Sequence, residues 1–305
     1  MPQLDPQVAE VLAQAAGAPP IETLTPDEAR AGSVAAFASQ FGAVDDVYAS
    51  EDRDADGVPV RIYRPVETDE PSPALLYFHG GGWVTGNLDT HDGIARAFAR
   101  RTPCVVIAVD YRVAPENPYP AAIDDAWTAT AWTAANAVEL GLDAGRIAVG
   151  GDSAGGTLAA VVARRARDAG IPLAAQLLIY PVTDYCFDTP SYSLFESGYG
   201  LTREGMRWYW DHYLGEWGHG DDPDISPARV TYFGGLAPAI VITAELDVLR
   251  DEGESYAEQL AGASVATWRV RYDGLVHGFL RMAGVVDRVQ QALTEIAALL
   301  HEALR

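Results

Sequence analysis

Ser153 stands in the middle of Gly151-Asp152-Ser153-Ala154-Gly155, directly after the apolar run 146–150 and directly before the helix-like stretch 157–167. A strand, a tight Gly-x-Ser-x-Gly turn and a helix, in that order, lift a serine hydroxyl to the tip of a strained bend whose neighbours have no room for side chains. Gly151 and Gly155 supply that room. A serine hydroxyl is a weak nucleophile at neutral pH and needs a base within hydrogen-bond reach. Six histidines are available: His79, His91, His212, His219, His277 and His301. His301 falls in the C-terminal helical pattern, His212 and His219 in an aromatic segment, and His91 at the start of a helix. His277 differs, because it follows the strand-like run 267–272 in the loop Asp273-Gly-Leu-Val-His277-Gly-Phe, at the end of the sheet where the serine turn also lies.

Such a base must be held in one tautomer by an acceptor. Asp247 follows the apolar run 239–244 by three residues, at the same carboxyl end. Its rivals are Glu245, Asp251, Glu252 and Asp273. Asp273 is close to His277 in sequence, and Asp251 and Glu252 read as first-turn acids at the positive end of a helix dipole. Acyl transfer also requires donors aimed at a developing oxyanion. His79-Gly80-Gly81-Gly82-Trp83 ends the run 74–78, and three successive glycines let the backbone turn its amides inward. Gly81 and Gly82, with Ala154 just after the serine, are the expected donors.

The elements that would position these residues alternate. Strand-like runs at 74–78, 104–109, 146–150, 175–180, 239–244 and 267–272 are separated by helical patterns at 89–100, 121–140, 154–169 and 252–261. Strands apolar on both faces and alternating with helices imply an α/β fold with a mostly parallel sheet covered on both sides. The last helix has an apolar stripe of Val286, Val289, Leu293, Ile296, Ala297 and Leu300. Ahead of the sheet lie helical stretches at 6–16 and 26–40, then an alternating segment, 47–63, around Asp56-Gly57, a strong hairpin signal. One segment breaks the alternation: 183–230 has no convincing strand and is loaded with aromatics. An insertion of that length in an α/β sheet serves as a lid or binding element as well as core.

Composition narrows the classes of function. The chain has 305 residues and a net charge of −22, and every basic residue is arginine. Nucleic acid is an unsuitable partner for such a surface. Without lysine there is no Walker-type phosphate loop, Schiff-base lysine or Ser-Lys dyad. Cys104 and Cys186 form no disulfide framework and no metal-ligand spacing. No apolar run approaches the length of a membrane span, and the N-terminal residues lack a signal-peptide pattern. The expectation is a cytoplasmic protein without membrane insertion, metal or organic cofactor.

Four blocks in this order resemble the hormone-sensitive-lipase-like carboxylesterases of the α/β-hydrolase fold, also called bacterial esterase family IV. They are residues 79–83, Tyr111-Arg-Val-Ala-Pro-Glu116, residues 151–156, and Asp247-Val-Leu-Arg-Asp-Glu252 together with His277-Gly-Phe279. The chain order Ser153, Asp247, His277 is that fold's triad order. The resemblance implies Ser153 as nucleophile, His277 as base, Asp247 as orienting acid, and Gly81, Gly82 and Ala154 as oxyanion donors. It further implies a helical cap of residues 1–45 and 183–230 on a catalytic domain of 46–182 and 231–305. His79, Arg112 and Glu116 become scaffold, and Val248 stands where many relatives have proline. Candidates for the substrate pocket are Trp83, Asp152, Tyr185, Phe195, Met206 and Trp210. The expected substrate is a small short- to medium-chain ester. An amidase, deacetylase or lactone hydrolase using the same triad is the alternative, with a non-catalytic receptor on the same scaffold a distant third. A homodimer through the strand 239–244, taken as an edge, or through its neighbour is also implied.

Overall fold

The computed structural model describes residues 3–217 and 220–305, so His219 lies outside the described residues. Helices α1 (Pro6–Ala15) and α2 (Pro26–Gln40) come first. Thr25 and Glu28 form a reciprocal capping box that starts α2 behind Pro26. The hairpin β1 (Ala49–Ala55) and β2 (Val58–Arg64) follows. Its two-residue loop is Asp56-Gly57, both with positive φ (54° and 93°), the conformation for which Asp-Gly is selected.

Alternation then sets in with β3 (Ser72–Phe78), α3 (Asp92–Arg101), β4 (Val105–Val109), α4 (Ala121–Ala135), β5 (Leu142–Asp152), α5 (Ala154–Ala169) and β6 (Ala175–Ile179). After the insertion, which carries the short helix α6 (Pro190–Leu194) and α7 (Arg203–Leu214), come β7 (Ala239–Leu246), α8 (Arg250–Gly262), β8 (Thr267–Val276) and α9 (Asp287–Ala303).

The strands form one eight-stranded sheet in the order β1-β2-β4-β3-β5-β6-β7-β8. Only the β1/β2 and β2/β4 pairings are antiparallel. All five residues of β4 and of β6 are buried, as expected for strands covered on both faces. Helix α3 packs beside α9, and α4 beside α5. Val289, Leu293, Ile296, Ala297 and Leu300 of α9 are buried as one stripe. The α/β architecture read from the alternation is therefore present.

Several element boundaries differ from the sequence reading; two of them, and the position of one strand in the sheet, bear on the site. Strand β5 runs on through Gly151 and Asp152, because Gly151 still pairs with Phe78 and Asp152 with Ile179. Strand β8 runs on to Val276 through a register shift against β7. Strand β7 is not an edge, since it is hydrogen-bonded to β6 on one side and β8 on the other; β8 is the edge. Among the described residues no helix is long and apolar enough to cross a membrane.

Candidate active site

The parallel sheet delivers the chemistry-bearing residues to one end. Strand β5 finishes at Asp152, and Ser153 follows with φ 56° and ψ −121°, a strained conformation for a residue with a Cβ. Its amide donates to the Ile179 carbonyl at 2.8 Å, and its own carbonyl accepts from Gly156 at 2.9 Å, which closes the turn into α5. Gly155 is indispensable here, because a Cβ on it would fall 1.9 Å from the Phe78 carbonyl oxygen. The helix that carries the serine's neighbour thus lies directly against the end of β3.

Leu246 and Val276 are partners in the β7/β8 register, so the next residues in each strand, Asp247 and His277, emerge side by side. His277 Nδ1 lies 2.8 Å from Asp247 Oδ2, and His277 Nε2 lies 2.9 Å from Ser153 Oγ. The second aspartate oxygen accepts the Leu249 amide at 2.9 Å. Both carboxylate oxygens are occupied and the side chain is fully buried, so the carboxylate and the imidazole it faces are fixed in orientation. Tyr180 packs edge-on against the His277 ring at 4.9 Å. The rivals for Asp247 are engaged elsewhere: Glu245 accepts from the Gly274 amide, Asp251 from the Ser191 amide, and Asp273 is exposed. His212 bonds the Trp208 carbonyl and His301 the Thr102 carbonyl.

The glycine loop after β3 faces the serine. Gly81 has φ 120° and a Cβ on it would sit 2.2 Å from the Thr85 carbonyl, so only glycine fits. The amides of Gly81 and Gly82 donate to no group among the described residues, and Ala154 is the first residue of α5, where a helix leaves its amide unused. The loop is braced from below. Asp152 Oδ1 accepts from the Tyr77 hydroxyl at 2.7 Å and the Gly80 amide at 3.0 Å, with His91 Nε2 at 3.6 Å. Burial acts to raise the Asp152 pKa, yet His91 and these hydrogen bonds hold it below the usual carboxylate value. Burial, with His91 adding to it, pushes the His79 pKa down to about 3, so this imidazole stays neutral. It stacks on Tyr111 at 4.2 Å, and its Nδ1–H donates to the Gly80 carbonyl at 2.8 Å.

Arg112 pairs with Asp125, and Glu116 pairs with Arg30 of α2. Arg30 also donates to the carbonyls of Val84 and Ala114, tying the N-terminal segment to the backbone that leaves the glycine loop.

Ser153 and His277 open onto a cavity of about 410 Å³. Of the six pocket candidates, Asp152 and Met206 line it, while Trp83, Tyr185, Phe195 and Trp210 do not. Within α7, helical periodicity accounts for the division. Met206 and Tyr209, three apart on α7, face the cavity. Trp210 and Tyr213 turn the other way, with Trp83 stacked 4.2 Å from Tyr213 and tilted against Trp210 at 4.5 Å. Phe195 packs on Tyr199, and Tyr185 on Trp210. Lining residues absent from the sequence reading include Ile21, Leu24 and Phe37 of the N-terminal segment, Leu201, Tyr209 and Arg281. Helix α2 turns the small residues Ala29, Gly32, Ser33 and Ala36, with Phe37, to the cavity, and no apolar stripe in its sequence marks it as wall.

Glu252 is a first-turn acid of α8, as its place in the sequence implies, and it is only 4 % exposed. Its Oε1 accepts the amides of Thr183, at 2.8 Å, and Asp184, anchoring the start of the insertion. Burial holds its pKa well above the ordinary value; the two amides oppose this, and the Asp184 and Asp247 charges reinforce it. The folded chain therefore keeps a proton that the unfolded chain releases near pH 4.3. Stability falls as pH rises from there through the folded pKa. Glu252→Gln keeps the carbonyl acceptor and has no proton to hold. Thermal melts at pH 5, 6.5 and 8 should show its melting temperature gaining on that of the wild type as pH rises, by about 2–4 °C per kcal/mol of linkage. A difference independent of pH would remove this reading.

Comparison with known proteins gives one consistent result. Residues 75–281 match a family described as having an alpha/beta hydrolase fold. The chain is 44% identical to the esterase LipI of Mycobacterium tuberculosis over 79% of its length and 77% of the relative's. It is 37% identical to an ethyl acetate hydrolase of Pseudomonas putida over 93% and 92% of the two chains. The crystal structure of a thermostable esterase from Pseudomonas putida superposes with a TM-score of 0.93 at 38% identity, covering 100% of this chain and 99% of that one.

Proposed function

Because this chain belongs to the α/β-hydrolase family, in its hormone-sensitive-lipase-like carboxylesterase branch, we propose that it hydrolyses short- to medium-chain carboxylic esters with Ser153 as nucleophile, His277 as base and Asp247 as orienting acid. That the protein is a carboxylic ester hydrolase follows from the family and from relatives named as esterases. The assignment of residues rests on one observation above the rest: the unbroken relay Ser153 Oγ to His277 Nε2 to Asp247 Oδ2, with spacings of 2.9 and 2.8 Å, at the wall of the cavity.

In this reading His277 Nε2 takes the Ser153 proton as Oγ bonds to the ester carbonyl carbon. The carbonyl oxygen gains the charge and receives hydrogen bonds from the amides of Gly81, Gly82 and Ala154. Collapse of this intermediate breaks the bond to the leaving alcohol oxygen, which takes the proton from His277. Water then attacks the acyl-enzyme with His277 again as base, releasing the acid and restoring the Ser153 hydroxyl. The Asp247 carboxylate stays ionised throughout and favours the imidazolium that forms twice per turnover. Asp152, through the Gly80 amide, and His79, through the Gly80 carbonyl, hold the glycine loop and transfer no proton.

The cavity's modest volume, near the lower end for small-molecule sites, supports acyl chains of short to medium length. Residues 1–45 and 183–230 are assigned to the cap, with 46–182 and 231–305 as the catalytic domain; the pocket residues contributed by α2 and α7 support this division. Pairing of two copies through the neighbour of β7 would use edge strand β8, where Trp268 is exposed. A cytoplasmic location is part of the same proposal.

The test is labelling by a fluorophosphonate, followed by peptide mass analysis, alongside a panel of p-nitrophenyl esters from acetyl to dodecanoyl with amides and lactones included. The expected adduct is on Ser153, with kcat/KM highest among the shorter acyl chains. Labelling elsewhere, or faster turnover of amides or lactones than of esters, would contradict the assignment.

A further inference from the structure

The arginines of this chain are paired with acids almost without exception. Of the 21, nineteen have a carboxylate oxygen within salt-bridge distance among the described residues. The remaining two are Arg100, which is exposed, and Arg281, which is not. Arg281 lines the cavity that holds Ser153 and His277. A partly buried cation with no carboxylate within salt-bridge distance is costly, and proteins pair such groups or leave them to meet a ligand.

Arg281 is held in place without being satisfied. Its Nε donates to Gln40 Oε1 at 3.1 Å and its Nη1 to the Gly278 carbonyl at 3.2 Å. A guanidinium has five N–H donors; two are used, and three, including both on Nη2, have no acceptor among the described residues. The bond to Gly278 sets the group beside the residue that follows His277. The charge of Asp152 acts on it, but Asp152 forms no salt bridge with Arg281, and its Oδ1 already accepts from Tyr77 and Gly80. Tyr180 and Tyr209, also in the cavity wall, are neutral phenols whose pKa values burial raises. Burial lowers the Arg281 pKa, but from so high a starting value that the group stays charged near neutral pH.

We propose that Arg281 is a specificity residue that receives a carboxylate carried by the ester itself, away from the scissile bond, so that half-esters of dicarboxylic acids or acyl esters of hydroxy acids are preferred over neutral esters of the same shape. A carboxylate matches the donors left open, and the pair would form in a site shielded from water, where charge-assisted hydrogen bonds are strong. The net charge of −22 repels anions at a distance. Salt screens that repulsion beyond about 8 Å, so the local cation decides the final affinity. The inference rests on the proposed assignment of Ser153 and His277 to the same cavity.

The experiment compares kcat/KM for charged and neutral isosteres at pH 7.5 and 0.15 M salt. One arm places the carboxylate on the acyl side (monoethyl glutarate against ethyl pentanoate), the other on the alcohol side (4-acetoxybutanoate against butyl acetate). In the wild type the charged-to-neutral ratio is expected to exceed one in the arm whose geometry fits. In Arg281→Gln that ratio should fall by about 10- to 100-fold, chiefly through KM, as loss of a hydrogen bond to a charged group predicts. Arg281→Lys should restore part of it. Gln40→Ala, which cuts the tether and keeps the cation, should leave the ratio standing. A wild-type ratio at or below one in both arms overturns the proposal while hydrolysis of the neutral esters continues. A parallel fall of both substrates in Arg281→Gln also overturns it, leaving Arg281 a purely structural tether. Failure of the wild type on every ester would instead count against the assignment of the triad.

Discussion

Replacing Ser153 by alanine is expected to lower kcat for p-nitrophenyl butyrate by about 10⁵- to 10⁶-fold while the protein stays folded. Alanine has a Cβ, so the strained backbone at φ 56° is neither relieved nor worsened, and the bonds that close the turn are all main-chain: Ser153 to Ile179, Gly156 to Ser153. Only Oγ is lost, together with one hydrogen bond to His277 worth about 1 kcal/mol to stability. His277 keeps its bond to Asp247, and the glycine-loop amides remain, so residual turnover should reflect oxyanion stabilisation and binding without a covalent intermediate. The measurement pairs steady-state kinetics with a thermal melt and fluorophosphonate labelling. A variant that keeps more than about a hundredth of the activity with an unchanged melt would rule out Ser153 as the nucleophile.

How much of this was legible in the sequence depends on whether a feature is local. The elbow is local: a strand, two glycines flanking the serine by two residues, and a helix. So is the hairpin turn, since Asp56-Gly57 has one favoured conformation. The pairing of Asp247 with His277 is not local, but it follows from chain order and from both residues ending neighbouring parallel strands; the Leu246–Val276 register supplies the last step. What the sequence hid was the facing of side chains in the irregular parts. Trp83, Trp210, Phe195 and Tyr185 were reasonable pocket residues by type, yet their rings pack on one another and on Tyr199 and Tyr213. Within α7 an offset of one residue separates Tyr209 at the cavity from Trp210 in the core, finer than reading from periodicity allows in a helix aromatic on several faces. Glu252 was hidden for another reason: a first-turn acid and a buried brace look alike until the insertion is seen to return over it.

The second large effect is expected at Asp247. Asp247→Asn conserves shape and should still cost about 10⁴-fold in kcat, for a reason the surrounding hydrogen bonds dictate. In the native protein Oδ1 accepts the Leu249 amide at 2.9 Å and Oδ2 faces His277 Nδ1 at 2.8 Å. An asparagine has one oxygen, and the buried Leu249 amide, which can only donate, will claim it. The asparagine NH₂ then points at Nδ1, which must become an acceptor, so the imidazole proton moves to Nε2. That nitrogen lies 2.9 Å from Ser153 Oγ, and once protonated it can no longer take the serine proton. The nucleophile, the glycine loop and the cavity all remain, yet the relay runs backwards. The defect should therefore appear in kcat and in the rate of fluorophosphonate labelling, with KM nearly unchanged and the thermal melt lowered by only a few degrees. Asp247→Ala supplies the contrast, because without an amide to impose the wrong tautomer the imidazole regains access to the productive one, at the cost of its orientation. If the asparagine variant labels as fast as the wild type, Asp247 does not set the tautomer of His277, and the base must be held by something other than this carboxylate.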